Sequence, residues 1–225
     1  MTSYGVVTAH VKQVSDPQGE GRVKLAYRNL DGSVESAWAP VATLMSGGGR
    51  GSWFMPEEGD EVLVAFAHGD VNHPYVLGFL WNGEDRPPST DGPSVRRIRT
   101  RSGHLIEFDD RAGSEKIRIQ SHGGHELTLE DAPTSQVTVK TAGNLSIQLS
   151  DAPPAIAIDG PQATLSVTCM EASVTASAVT NLTTTALNVS APLTTFEGVV
   201  QAVTVIADAV VGSAYTPAPG NTFGL

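Results

Sequence analysis

Cysteine is nearly missing from this chain: Cys169 is the single one among 225 residues. A disulfide framework within the chain is therefore excluded as the source of stability. Cationic side chains are missing from a whole stretch. All 14 Lys and Arg lie at or before Lys140, whereas the last 85 residues hold five acids (Asp151, Asp159, Glu171, Glu197, Asp208) and no base. With 24 acids in total the formal net charge is −10, so the chain as a whole repels a polyphosphate and nucleic acid is a poor first partner. No apolar run approaches the roughly 18 residues that cross a bilayer as a helix. Met1–Gly5 lacks the basic and apolar regions of a secretory signal. The expectation is a chain that is soluble when made, in the cytoplasm and without a signal peptide.

What is present divides in two. In the 40 residues from Glu171 to Val210, 27 are Ala, Val, Ser or Thr. Small and β-branched side chains of this kind suit pleated surfaces and poorly support isolated helices, so the tail is β or it is disordered. The first 90 residues read differently. Tyr4 to Asp16 alternates around Val7, Ala9 and Val11, and Gly21 to Asn29 sets Val23, Leu25 and Tyr27 against Arg22, Lys24 and Arg28, the period of half-buried strands. "DPQGEG" between them is a turn. "SAWAPVAT" is a third strand, "SGGGRGSWFMP" a loop too rich in glycine for regular structure, and "DEVLVAFAHGD" and "HPYVLGFLWNG" a fourth and fifth. Five short strands in about 80 residues predict a small closed barrel of the OB type, because closure removes exposed edges.

Within that barrel, Pro56 and Gly59 predict a sharp turn into a strand, with Glu57, Glu58, Asp60 and Glu61 keeping it solvated. Val62, Val64 and Phe66 face one side, Leu63, Ala65 and Ala67 the other. Both faces are apolar, one for the barrel interior and one for a neighbour. His73, next to Pro74 in the turn with Asp70 and Asn72, is read as a turn hydrogen-bonder. Trp38, Trp53 and Trp81 are read as core or interface packing, since a base-stacking platform without a basic groove binds weakly.

"GRVKLAY", "AWAPVA", "GGGRGSWFMPEEGDEVLVAF" and "GDVNHPYVLGFLWNGEDRPP" together resemble the OB domain of the central spike proteins of contractile injection machines, the family of phage baseplate spikes and VgrG. Thr100 to Ser121, "TRSGHLIEFDDRAGSEKIRIQS", is similar to the segment that joins that barrel to a trimeric β-helix. The resemblance implies an all-β chain: an OB collar over residues 1–90, a connecting linker and hairpin over 91–125, a trimeric β-helix needle over 126–212, and a tip segment over 213–225. It implies a baseplate hub protein at the OB end and a PAAR-repeat tip protein at the other. Tyr215, Pro217, Pro219 and Phe223 are the candidate tip-partner contacts. Some phage spikes finish in a metal-binding His-x-His tip; the last histidine here is His125, which favours a separate cap. There is no room for a lysozyme domain or a VgrG-type hub domain, so the hub is expected to be a different polypeptide.

The residues after the barrel fit that reading independently. Arg96, Arg97, Arg99 and Arg101 precede Glu107, Asp109, Asp110 and Glu115, which predicts ion pairing across strands or between chains. "HGGH", His122 to His125, offers two ligands only and no set of metal-ligand spacing. From His125 onward short alternating stretches recur at uneven intervals, as in a β-solenoid, with no strict period visible. Their apolar residues are small, and one copy buries too little to offset its ordering entropy. Three copies about one axis solve this, so a homotrimer is expected.

The function expected is structural: a spike at the tip of a contractile apparatus, of phage-tail, secretion or extracellular type, that meets the target membrane transiently. No catalytic, cofactor or metal residues are assigned. Two rival classes stay open. A single-chain β-helix acting on carbohydrate needs clustered carboxylates, for which Glu107, Asp109 and Asp110 are the candidate group. An OB-fold nucleic-acid binder would use the Arg96 to Arg101 stretch.

Overall fold

In this computed structural model residues 5–27, 35–209 and 211–212 are described. The candidate tip contacts Tyr215, Pro217, Pro219 and Phe223 lie outside the described residues. The chain divides into two compact units, residues 1–166 and 167–225.

The first unit begins with strands β1 (Val6–Gln13), β2 (Arg22–Tyr27) and β3 (Ala39–Pro40), continued after a small hairpin by β6 (Glu61–Phe66) and β7 (Pro74–Phe79). These five form one antiparallel sheet in the order β3-β2-β1-β6-β7. It curls until Val41 bridges Val76 and the Ala42 N–H donates to the Val76 carbonyl at 2.8 Å. The barrel is thereby nearly closed, which hides the strand edges. Alternate residues point inward as the period-two pattern demands: Ala9 and Val11, Val23 and Leu25, Val62 and Val64, and Val76 are buried with Ala39 and Tyr27. Tyr27 and Phe66 close one part of the core with ring centroids 5.6 Å apart.

The glycine-rich segment differs from expectation. It carries a short hairpin, β4 (Ser46–Gly47) and β5 (Arg50–Gly51). Gly49 supplies the left-handed backbone that the tight turn needs, with φ of 68°. The acidic turn is also corrected at one residue. Gly59 takes φ of 101° and its N–H donates to the Val11 carbonyl, while Glu57 and Glu58 are exposed. Glu61 is buried, accepting from the Asn82 amide at 3.2 Å.

After the barrel comes a second sheet. Strands β8 (Val95–Arg99), β9 (Leu105–Asp109), β10 (Lys116–Gln120), β11 (Glu126–Glu130), β12 (Gln136–Lys140), β13 (Ser146–Asp151) and β14 (Pro154–Asp159) follow one another as an antiparallel meander. The sheet runs unbroken through the turn at residues 121–125. β11 pairs with β10 over five residues as evenly as β9 does. The reason is a repeat in the turns. Thr100, Ser121 and Thr141 each accept from the N–H four residues on through a side-chain oxygen, at 3.1–3.2 Å. Gly103, Gly124 and Asn144 then take φ between 62° and 95° to complete the bend. At the opposite end the Asp110, Asp131 and Asp151 N–H groups donate to Ser94, Glu115 and Ser135.

Across Gly160 the pattern changes. Residues 161–209 are exposed and, among the described residues from 160 on, no strand is assigned. The second unit, from Val167, carries Val167, Val174, Leu182, Leu187, Val203 and Ile206 exposed to solvent.

Candidate functional site

The meander presents two unlike faces, and the register shows why. On one face Ile98 lies opposite Ile106, Ile106 opposite Ile119, Ile119 opposite Leu127, Leu127 opposite Val139, Val139 opposite Ile147 and Ile147 opposite Ile158. A parallel row runs Phe108, Ile117, Leu129, Val137, Leu149, Ile156. Both rows are aliphatic but for Phe108. Yet Ile98, Ile106, Ile119, Val139 and Ile147 each keep between 38% and 47% of their surface in solvent, and Ile156 76%. A continuous apolar ladder seven strands wide is far larger than scattered surface hydrophobics and marks an interaction surface.

The reverse face is polar and internally satisfied. Arg97 holds Glu107 across β8 and β9 and reaches Asp91 at 2.9 Å. Arg118 holds Glu126 at 2.8 Å, Gln136 donates to Glu130, and Gln148 donates to Gln136 at 2.6 Å. Following the row Arg97, Glu107, Arg118, Thr128, Thr138, Gln148, Ala157, charge gives way to hydroxyls, then an amide, then a methyl. Asp109 is buried at the sheet's end, and its carboxylate takes the Arg111 guanidinium at two points, 2.8 and 2.5 Å. That fork and the Arg111 N–H lower the acid to about 2. All three carboxylates of the 107–110 group are thus spent on salt bridges: Glu107 with Arg97, Asp109 with Arg111, Asp110 with Arg96.

The barrel has a comparable knot. Asp16 accepts N–H groups from Gln18, Glu20 and Arg22 and is gripped by the Arg22 side chain at 2.9–3.0 Å, which lowers its pKa. His73 bonds Asp70 through Nδ1 at 2.8 Å, the turn role read from the sequence. Trp38 lies under Lys24, 5.6 Å from its ammonium. Trp53 and Trp81, by contrast, are exposed and leave the core reading.

Residues 7–81 match the family model described as the type VI secretion system/phage-baseplate injector OB domain. That match covers the barrel and makes this part of the chain similar to the OB domains of injector spike proteins. The chain is 28% identical over 145 residues to the type VI secretion system spike protein VgrG3 of Vibrio cholerae, covering 56% of this chain and 14% of that protein. It is 28% identical over 145 residues to spike protein VgrG1b of Pseudomonas aeruginosa, covering 55% and 20%. To VgrG5 of the same organism it is 31% identical over 126 residues, covering 50% and 15%. The chain therefore spans a quarter or less of the length of these relatives.

The remaining sequence-read sites find their places in this frame. His104 and His125 use Nδ1 to accept N–H groups of His122 and Ala142 at 3.1 and 3.4 Å, so the "HGGH" histidines sit in the repeated turns. Among the described residues no group of three His, Cys, Asp or Glu is placed to hold a metal. The turn repeat itself, Thr100, Ser121 and Thr141 with Gly103, Gly124 and Asn144, escaped the sequence reading. A search for the pattern hydroxyl residue, two residues, Gly or Asn at intervals of about 20 would have found it.

Proposed function

We propose that this chain is the trimeric central spike of a contractile injection apparatus. The apolar ladder from Ile98 to Ile158 carries the proposal, because a single copy leaves it in water and three copies about one axis bury it in a shared interior. The OB barrel is the collar, seated on a baseplate hub. The sheet and the small-residue tail form an intertwined β-helix needle whose strands after Gly160 pair between copies rather than within one. Its far end carries a PAAR-repeat tip protein, through Tyr215, Pro217, Pro219 and Phe223, and meets the target membrane only during injection. The chain is made in the cytoplasm and assembled into the phage tail-like particle.

The role is mechanical rather than enzymatic and asks for no cofactor. Its support is the pairing of the acids with arginines, which leaves Glu107, Asp109 and Asp110 committed to structure. The same pairing takes Arg96 and Arg97 out of reach of a nucleic-acid backbone, and Arg101 is bonded to Glu57 at 2.6 Å. Light scattering at low micromolar concentration tests the proposal. The expected mass is three times 23.5 kDa, and a well-folded monomer would refute the spike and favour a single-chain enzyme.

A further inference from the structure

Between the barrel and the meander lies an open groove of about 770 Å³. Its walls are Leu44 and Phe54 from the hairpin arm, Leu77, Phe79 and Trp81 from β7 and the residues after it, and Ile98 from β8. All six are exposed, Leu44 at 93% and Trp81 at 71%. None belongs to the barrel core, which β7 meets with Pro74 and Val76 on its opposite side.

We infer that this groove is a contact between copies of the chain, so that the three-copy interface reaches up from the sheet into the OB barrel. The inference rests on the trimeric reading above. Two observations assign the groove to a second copy. Ile98 is both its floor and the first rung of the apolar ladder. A partner that covers the ladder must cover Ile98, and with it one wall of the groove. The charges also fit. The groove is lined by Arg97 and Arg99 and by no carboxylate. Arg97 already holds Glu107 and Asp91, so Arg99 is the cation offered to an occupant. A chain with 24 acids and 14 bases supplies the complementary carboxylate from its neighbour.

The test uses the full chain. Leu77→Glu with Phe79→Glu places two charges in the groove on side chains that do not touch the barrel core. The trimer of this variant is expected to dissociate at a concentration at least about tenfold higher than the wild type, with an unchanged far-ultraviolet spectrum. Trp53→Ser, at an exposed residue outside the groove, should assemble like the wild type. As a second readout, Trp81→Cys in a Cys169→Ser background is labelled with a maleimide. Labelling much slower in the trimer than in urea supports the inference. A wild-type trimer whose charged variant assembles as tightly, and whose Cys at 81 is labelled as fast as in urea, overturns it while leaving the spike reading intact. Protection that arises only when a second protein is added overturns it too, giving the groove to that protein. A monomeric wild type removes the reading on which it rests.

Discussion

At Asp109 the difference between a reactive acid and a structural one is decided by its neighbours. The side chain is buried, forked by Arg111, and held to about 2. An acid whose folded value lies below its ordinary one of about 3.9 stabilises the fold above that ordinary value and stops doing so as pH falls through the folded value. Wild type is therefore expected to exceed Asp109→Asn in melting temperature by a constant margin at pH 5 and above. The margin should shrink between about pH 4 and about pH 2. Melting curves of both proteins across that range check it, and a margin that does not move would mean that the Arg111 contact contributes nothing to stability. The carboxylates were legible in the sequence as candidates for pairing with the arginines before them. Which acid met which base was not: Glu107 and Asp110 find Arg97 and Arg96 through the register of β8 against β9, whereas Asp109 pairs with Arg111, two residues on and not among those arginines. Glu61 shows the same limit: it reads as a hydrated turn residue, yet its place at the first position of β6 turns it inward to Asn82.

At the scale of strands, legibility followed side-chain size. Val7 to Val11 and Val23 to Tyr27 alternate apolar residues with polar or small ones, Val62 to Phe66 is apolar throughout, and each is a barrel strand. The hairpin at Ser46–Gly51 was hidden because glycines carry no period. The meander was legible in part: its strands read as short alternating stretches, each from β9 to β12 five residues long, while their pairing in sequence order is set by the turns between them. The tail after Gly160 has alternation but small residues, and in one copy no strand follows from it. The apolar ladder makes a prediction at this scale. Ile119 sits at its middle, between Ile106 and Leu127. Ile119→Ser is expected to cost roughly 1–2 kcal/mol per copy of assembly free energy. Summed over three copies, that raises the dissociation constant by about two to four orders of magnitude. Thr138→Ser, on the polar face, should leave assembly unchanged. Sedimentation of the two variants over a dilution series decides it, and equal behaviour would remove the ladder from the interface.

For the whole molecule, charge and hydrophobicity act in opposite senses on assembly. Each copy carries a formal charge of −10, so three copies bring together three times that charge. The tail, with no Lys or Arg after Lys140, has no cation of its own to offset the acids brought near one axis. Like charges repel over a distance that salt shortens, from about 30 Å at 0.01 M to about 8 Å at 0.15 M. Burial of the Ile98–Ile158 ladder is indifferent to this screening. If apolar burial drives the assembly and net charge opposes it, raising sodium chloride from about 0.02 to about 0.3 M should tighten the trimer several-fold. Ion pairs between copies would give the opposite slope, since screening weakens attraction as it does repulsion. The direction of the salt dependence of dissociation, measured by sedimentation at fixed pH, therefore reports which of the two surfaces the copies share. Tightening with salt places the apolar ladder at the interface; loosening places the polar face there, with Arg118, Glu126 and Glu130 exchanging partners between chains.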